Sequence, residues 1–258
     1  MTKNNILVSV LIINYNNASL IKRAIRSCLM QTYKNIEILV YDDKSTDNSK
    51  NNIPKNNKIR FFQNKKIKLK VAAFDAFNGY KFLIKKSNGK ILCLLDSDDY
   101  FHKSKIKKIV NFFKKNKNTK FLQNYTALSN CKKKNKQNIK NNYFSPWPYF
   151  APESCLSFKK SLVMQFFNIN RPHEISYPFV WFGFRLCAYS FFVEKKFSTI
   201  REPLTFYKSI GESKKYTFLG KKWWNRRSQS HSYLKNFSNS SRFSFDYMIT
   251  NCINFFLK

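Results

Sequence analysis

The chain is poor in acids, in glycine and in long apolar runs. Only 14 of its 258 residues are Asp or Glu, against 48 Lys and Arg, and the formal net charge is +34 at pH 7. Glycine occurs 5 times, and no glycine-rich loop with a basic residue opens the chain, which excludes a backbone phosphate cradle of that kind there. No apolar stretch approaches the roughly 18 residues of a membrane span. The short run from Ile6 to Ile13 is broken by Ser9 and has no small-residue cleavage pattern, so it reads as a strand and not as a secretory leader. A chain that is soluble, or that sits on a surface, is expected. The 6 cysteines (Cys28, Cys93, Cys131, Cys155, Cys187 and Cys252) include no C-x-x-C pair, so neither a zinc site nor a redox motif is indicated. Cys28 and Cys93 fall inside apolar patterns as ordinary buried thiols, and a reducing cytosol is the expected compartment.

What is present is ample material for a core, with 43% hydrophobic residues and 17% aromatics. The length fits one domain, with or without a C-terminal extension. The positive charge favours anionic partners: nucleic acid, phosphorylated metabolites or an acidic membrane surface. Lysine is spread over the whole chain beside abundant Asn, Ile and Phe, as an A+T-rich coding bias also produces. No nucleic-acid reading motif is visible, so nucleic acid is not an expected partner.

One stretch organises the rest. Ile91 to Leu95 is a five-residue apolar run, the profile of a strand buried on both faces, and it ends in Asp96, Ser97, Asp98 and Asp99. If the chain stayed extended, Asp96 and Asp98 would point the same way. In open α/β sheets the ligand crevice lies at the carboxyl ends of the strands. Two acids there suit Mg²⁺ or Mn²⁺, hard cations that share oxygen ligands with phosphate. The plain alternative is a set of acids dressing the N-terminus of a helix that follows from about Lys103.

Earlier segments follow the same plan. Leu7 to Ile13 reads as a strand and Asn14 to Asn17 as a turn. Ser19 is placed to cap a helix whose stripe is Leu20, Ile21, Ala24, Ile25, Cys28 and Leu29. A second strand, Ile36 to Tyr41, ends in Asp42 and Asp43, which suit helix capping, or hydrogen bonds from a ribose or a base edge. A third, Ile59 to Gln63, precedes a helix carrying Val71, Phe74 and Phe77, stopped by Asn88 and Gly89. Strands alternating with helices imply βαβ crossovers and a mainly parallel sheet. Lys103 to Lys117 reads as a basic helix and Lys132 to Lys140 as a solvated polar loop. Tyr143 to Phe150 is an aromatic, Pro-rich loop that either packs over the sheet edge or stacks on a sugar ring. After Pro152 the pattern is helical around Lys160 to Phe167 and Val180 to Phe191, with a strand at Phe197 to Ile200. From about Phe218 two helices are expected. The first is basic and aromatic (Lys221, Lys222, Trp223, Trp224, Arg226, Arg227), and the second, about Phe243 to Leu257, is mostly apolar. Such a pair either packs on the main domain or touches a lipid headgroup layer.

Val8 to Asn16, Leu29 to Tyr33, Ile36 to Asp47 and Leu95 to Asp99, in that order, resemble the family 2 glycosyltransferases of the GT-A fold. The resemblance covers residues 5 to about 115, and Pro152 to Lys160 looks like the acceptor-side segment. It implies an α/β, Rossmann-like, mainly parallel sheet flanked by helices. Residues 1–215 would form the GT-A domain, with 1–115 the nucleotide-sugar half and 116–215 the acceptor half, and 216–258 a helical extension. It implies a nucleotide-sugar site of Asn14, Tyr15, Asp43, Lys70, Asp96 and Asp98, with Asp98 on Mn²⁺ or Mg²⁺. The reaction implied is an inverting transfer from a nucleotide-diphosphate sugar, a UDP-sugar above all, to a surface-glycan or lipid-linked acceptor. The compartment would be the cytoplasm or the inner face of its membrane.

Two departures stand out. After the third strand the family has glycines and a basic residue near the phosphates, whereas Asn64 to Lys70 supplies lysines and no glycine. The family's general base sits in a Glu-Asp pair before an arginine. Counting back from Arg185 reaches Pro178 and Phe179, neither of which can take a proton. Glu174 is the nearest carboxylate and the expected base, with Glu153 the alternative. A non-catalytic nucleotide-sugar-binding relative without a base is the second reading. A sugar-1-phosphate nucleotidyltransferase ranks last, for want of the opening glycine loop.

Overall fold

A computed structural model describes residues 5–65, 71–128, 146–208, 220–238 and 244–256. Its frame is set by β1 (Val8–Asn14), β2 (Ile36–Asp42), β3 (Ile59–Gln63) and β4 (Ile91–Asp96). The four pair in parallel, with β1 between β2 and β4. β1, β2 and β4 are buried on both faces, and their side chains alternate between two apolar layers with period 2. Leu11, Leu39, Leu92 and Leu94 belong to one apolar layer, and Val10, Ile12, Ile38, Val40, Cys93 and Leu95 to the other. The second layer is closed by α1 (Ala18–Leu29) and α3 (Lys105–Lys115). The first is closed by α2 (Ala72–Lys86), α4 (Lys160–Asn170) and α5 (Phe182–Ala188).

The sheet does not stop at β4. Its order is β3-β2-β1-β4-β7-β6-β8-β5, with β5 (Tyr100–Phe101), β6 (Phe121–Leu128), β7 (Leu156–Lys159) and β8 (Phe197–Tyr207). β7 is antiparallel to both β4 and β6, β6 and β8 are parallel, and β5 is antiparallel to β8. The sheet is therefore mixed, wholly parallel from β3 to β4 and of both senses beyond. β6 and β7 were not legible as strands. In β6 the buried Gln123 and Asn124 hide the apolar signal. Gln123 accepts the Ala151 amide (2.8 Å) and donates to the Tyr149 carbonyl (3.3 Å) and the Thr199 hydroxyl (3.2 Å), tying the strand to the segment beside it. α6 (Lys221–Leu234) and α7 (Phe245–Phe256) follow. Among the described residues no helix is long and apolar enough to cross a membrane.

Two helix ends differ from expectation. Ser19 lies inside α1, and the Asp47 carboxylate accepts the Ala18 amide at 2.8 Å, so the cap comes from the loop after β2. α2 ends at Lys86 with Ser87 at its cap, and Gly89 has no left-handed backbone. Gly89 instead allows a close approach: a Cβ there would lie 2.5 Å from both the amide nitrogen and the Oγ of Ser9. Gly89→Ala therefore forces β1 away from the start of β4. The expected loss is about 1–3 kcal/mol in a denaturant melt, and an unchanged melt contradicts this packing.

Candidate active site

The chain runs outward from β1 through β2 to β3, then returns to place β4 on the other side of β1. That reversal makes a crevice at the carboxyl ends of β1, β2 and β4. Register aligns Asn14 with Asp42 and Ile13 with Asp96 there. A cavity of about 440 Å³ opens at this edge, and its wall includes Tyr15, Asp43, Asp96, Asp98, Glu153 and Trp181.

Each expected site residue has a definite place. Asn14 is buried and donates to Asp42 at 2.8 Å. Asp42 also accepts the Ser45 amide (3.0 Å) and hydroxyl (2.6 Å), so this buried pair closes the loop after β2 and shapes the crevice from behind. Tyr15, 49% exposed, lines the cavity. The Asp43 amide is bonded to the Asn14 carbonyl (2.8 Å), and its carboxylate accepts the Asn64 side-chain amide (2.7 Å). Lys70 lies outside the described residues. Asp96 accepts the Tyr80 hydroxyl at 3.0 Å. Asp98 does not continue the strand: the Asp99 amide bonds the Asp96 carbonyl (3.1 Å) and turns the chain. Asp96 and Asp98 both reach the cavity through this turn and not through an extended backbone. Glu174 is not part of the cavity wall. The Lys81 ammonium holds both of its oxygens at 2.6 Å.

The acids crowd one another. Burial raises the Asp96 carboxyl well above its ordinary range, and Glu153, Asp99 and Asp98 push it further the same way. Burial also raises Asp98, against the pull of Arg23 and Lys208. Glu153 is raised by burial, although the Gly183 amide opposes this by donating to its Oε1 at 2.6 Å. Tyr80, Lys105, Arg226 and Trp181 were missed in the sequence. Lys105 sits in a lysine-rich helix, and nothing in its neighbours marks it as the one that is fully buried. Its ammonium donates to the Ser154 carbonyl (2.5 Å) and the Thr205 hydroxyl (2.8 Å), and the Ser154 hydroxyl accepts the Asp96 amide (2.9 Å). Lys105 thereby fastens the turn that carries Glu153 to the end of β4.

The arginine that the family pattern uses as a landmark, Arg185, is fully buried. It donates to the carbonyls of Val180 (2.9 Å), His173 (3.1 Å) and Tyr177, holding the loop before α5. The Phe179 amide is taken by Gln229 (2.9 Å).

A parallel half whose acids converge on a switch-point crevice, continued by a mixed half whose connecting turn carries Glu153 to the same cavity, is a sheet of the GT-A type. The model of glycosyl transferase family 2 matches residues 9–188, and the chain belongs to that family. An uncharacterized glycosyltransferase of Rickettsia felis is 36% identical over 143 residues, 54% of this chain and 22% of that one. The UDP-Glc:alpha-D-GlcNAc-diphosphoundecaprenol beta-1,3-glucosyltransferase WfaP of Escherichia coli is 37% identical over 111 residues, 43% of each chain. The chain thus matches less than half the length of these curated relatives. In fold it resembles S. aureus TarS 1–349 in complex with UDP-GlcNAc, with TM-score 0.61, 14% identity, and 96% of this chain and 70% of that one covered. It also resembles the mannosyltransferase PcManGT of Pyrobaculum calidifontis in complex with GDP-Man and Mn²⁺, with TM-score 0.60, 12% identity, and 98% and 70% covered.

The buried lysine generates a test. Burial drives Lys105 down to about 8 from an ordinary 10.5. Between these values the unfolded chain keeps a proton that the native state has released, so the lysine makes stability rise with pH across that window. The unfolding free energy of the native chain minus that of Lys105→Met should therefore climb from pH 8 to 10.5, by about 3 kcal/mol at most. A pH-independent difference contradicts a buried, hydrogen-bonded Lys105.

Proposed function

We propose that this glycosyltransferase moves a sugar from a UDP-sugar onto a lipid-linked surface-glycan acceptor, with inversion and with Mn²⁺ or Mg²⁺. The observation that carries the reading is the convergence of Asp43 from β2 with Asp96 and Asp98 from β4 on one cavity. In this reading Tyr15 and Asp43 hold the base and ribose, with Asn14 bracing their loop. Asp96 takes the ribose or sugar, Asp98 the cation, and Lys70 the diphosphate. The donor set fits such a cation. Among the described residues no group of three acid, His or Cys side chains is arranged to hold a metal by itself. One carboxylate plus substrate phosphates is the usual setting of Mg²⁺, and a cation would also offset the burial that raises Asp98 and the burial and crowding that raise Asp96. When bound, it supplies charge stabilisation to the leaving diphosphate. Support for donor and acceptor comes from the relatives: WfaP is named for UDP-Glc and a diphosphoundecaprenol-linked acceptor, and TarS was solved with UDP-GlcNAc.

We divide the chain into a catalytic part, 1–215, and an extension, 216–258. Arg226 of α6 lies on the cavity wall, so the extension borders the site. On α7 the exposed residues Phe245, Met248, Ile249, Phe255 and Phe256 recur at helical spacing, while Thr250 is buried and Asp246 is paired with Arg227 (2.8 Å). An apolar stripe on a helix tied to the basic α6 fits the headgroup layer of an anionic membrane. Docked there, the chain works at the inner face of the cytoplasmic membrane, where a lipid-linked acceptor is within reach.

A thermal-shift panel of UDP, GDP, CDP and dTDP, each with and without Mn²⁺, tests the donor half. A nucleotide at a hundred times its dissociation constant adds about 2.7 kcal/mol of stability. UDP should give a Mn²⁺-dependent shift, and Asp98→Asn should lose the metal dependence at an unchanged ligand-free melting point. No shift with any nucleotide would mean that the acidic strand ends are structural. For the membrane, sedimentation with phosphatidylglycerol vesicles should pull down the native chain and not the Phe255→Asp/Phe256→Asp variant. Equal binding of both rejects the α7 surface.

A further inference from the structure

We infer that Glu153 is the catalytic base that takes the acceptor's hydroxyl proton, and that Gly183 makes room for it. The inference rests on the glycosyltransferase reading above. The positions where the family pattern puts its acids hold Pro178 and Phe179 here, and Glu174 is clasped by Lys81 away from the cavity. Of the four carboxylates on the cavity wall, Asp43, Asp96 and Asp98 stand at the ends of β2 and β4, on the donor side. Glu153 stands apart, on a short turn leading into β7, beside Trp181 and Phe184, whose aromatic faces suit an acceptor sugar.

The turn is built to hold one carboxylate in one place. The Gly183 amide fixes Oε1 at 2.6 Å, which leaves Oε2 for a substrate hydroxyl. A Cβ at position 183 would lie 2.6 Å from the Glu153 Cγ and 3.1 Å from its Oε1, so a larger residue there displaces the carboxylate. From behind, Ser154 is anchored to the Asp96 amide by its hydroxyl and to Lys105 by its carbonyl. Donor-side Asp96 and acceptor-side Glu153 are thus set relative to each other through one residue.

An oxygen lone pair of the acceptor hydroxyl forms the bond to the anomeric carbon, and the bond from that carbon to the diphosphate oxygen breaks. Its electron pair leaves with the nucleoside diphosphate. The hydroxyl proton passes to the Glu153 carboxylate, which later returns it to water.

The test uses the full chain, UDP-glucose and UDP-N-acetylglucosamine as donors, and N-acetylglucosamine on a short polyprenyl diphosphate as acceptor. Glu153→Gln keeps the Gly183 hydrogen bond through its amide oxygen, so UDP affinity should stay within about twofold while kcat for transfer falls roughly 10²–10⁴-fold. Glu153→Asp should recover part of the loss. Gly183→Ala should lower kcat and leave UDP affinity in place. Turnover by Glu153→Gln within threefold of the native chain overturns the inference, as does a comparable loss in Glu174→Gln with Glu153→Gln unaffected. A native chain that neither binds UDP nor uses either donor overturns the donor reading, and this inference with it.

Discussion

Six of the chain's 14 acids, Asp42, Asp43, Asp96, Asp98, Asp99 and Glu153, are gathered at one edge of one sheet in a molecule carrying +34. Holding like charges together in a partly buried crevice is unfavourable unless each has donors or a cation to answer it. Much of the local architecture supplies those donors. Asn14 and Ser45 answer Asp42, Asn64 answers Asp43, Tyr80 answers Asp96, the Lys208 amide (2.8 Å) answers Asp99, and the Gly183 amide answers Glu153. Asp98 faces the cavity with its carboxylate raised by burial and drawn down by Arg23 and Lys208, and a divalent cation there would offset the burial further.

The parallel half of the sheet makes this gathering possible because β1 is held between β2 and β4 in a register that aligns their ends. The mixed half makes it useful. β7 brings the turn of Glu153 to the end of β4, and the Lys105–Ser154–Asp96 chain of hydrogen bonds fixes the distance between them. A lysine buried in this way is costly by itself, and its hydrogen bonds to Ser154 and Thr205 offset that cost. The two halves are therefore coupled through a small polar link between two apolar layers.

What the sequence made legible follows from where apolar patterning dominates. β1 to β4, with their acids, were readable because buried parallel strands write continuous apolar runs, and the switch-point crevice follows from strand order. β6 and β7 were not, since buried Gln123, Asn124 and Ser157 replace apolar residues with side chains whose partners lie far along the chain. The extended path assumed for Asp96 to Asp98 is replaced by a turn, yet both still face the cavity. The proposed base was the least legible feature. Glu174 is nearest the family landmark in sequence, but Lys81 holds its carboxylate, and the acceptor-side carboxylate on the cavity wall is Glu153, about thirty residues before Arg185, bonded by the Gly183 amide in a contact that no local pattern announces.

The central claim is that the acids at the ends of β2 and β4 form one donor site. A crystal structure of the chain grown with UDP and Mn²⁺ tests it most directly. Uracil is expected beside Tyr15, Asp43 on the base or ribose, and the cation at Asp98. A nucleotide seated in another cavity, or a cation bound without Asp98, would contradict it.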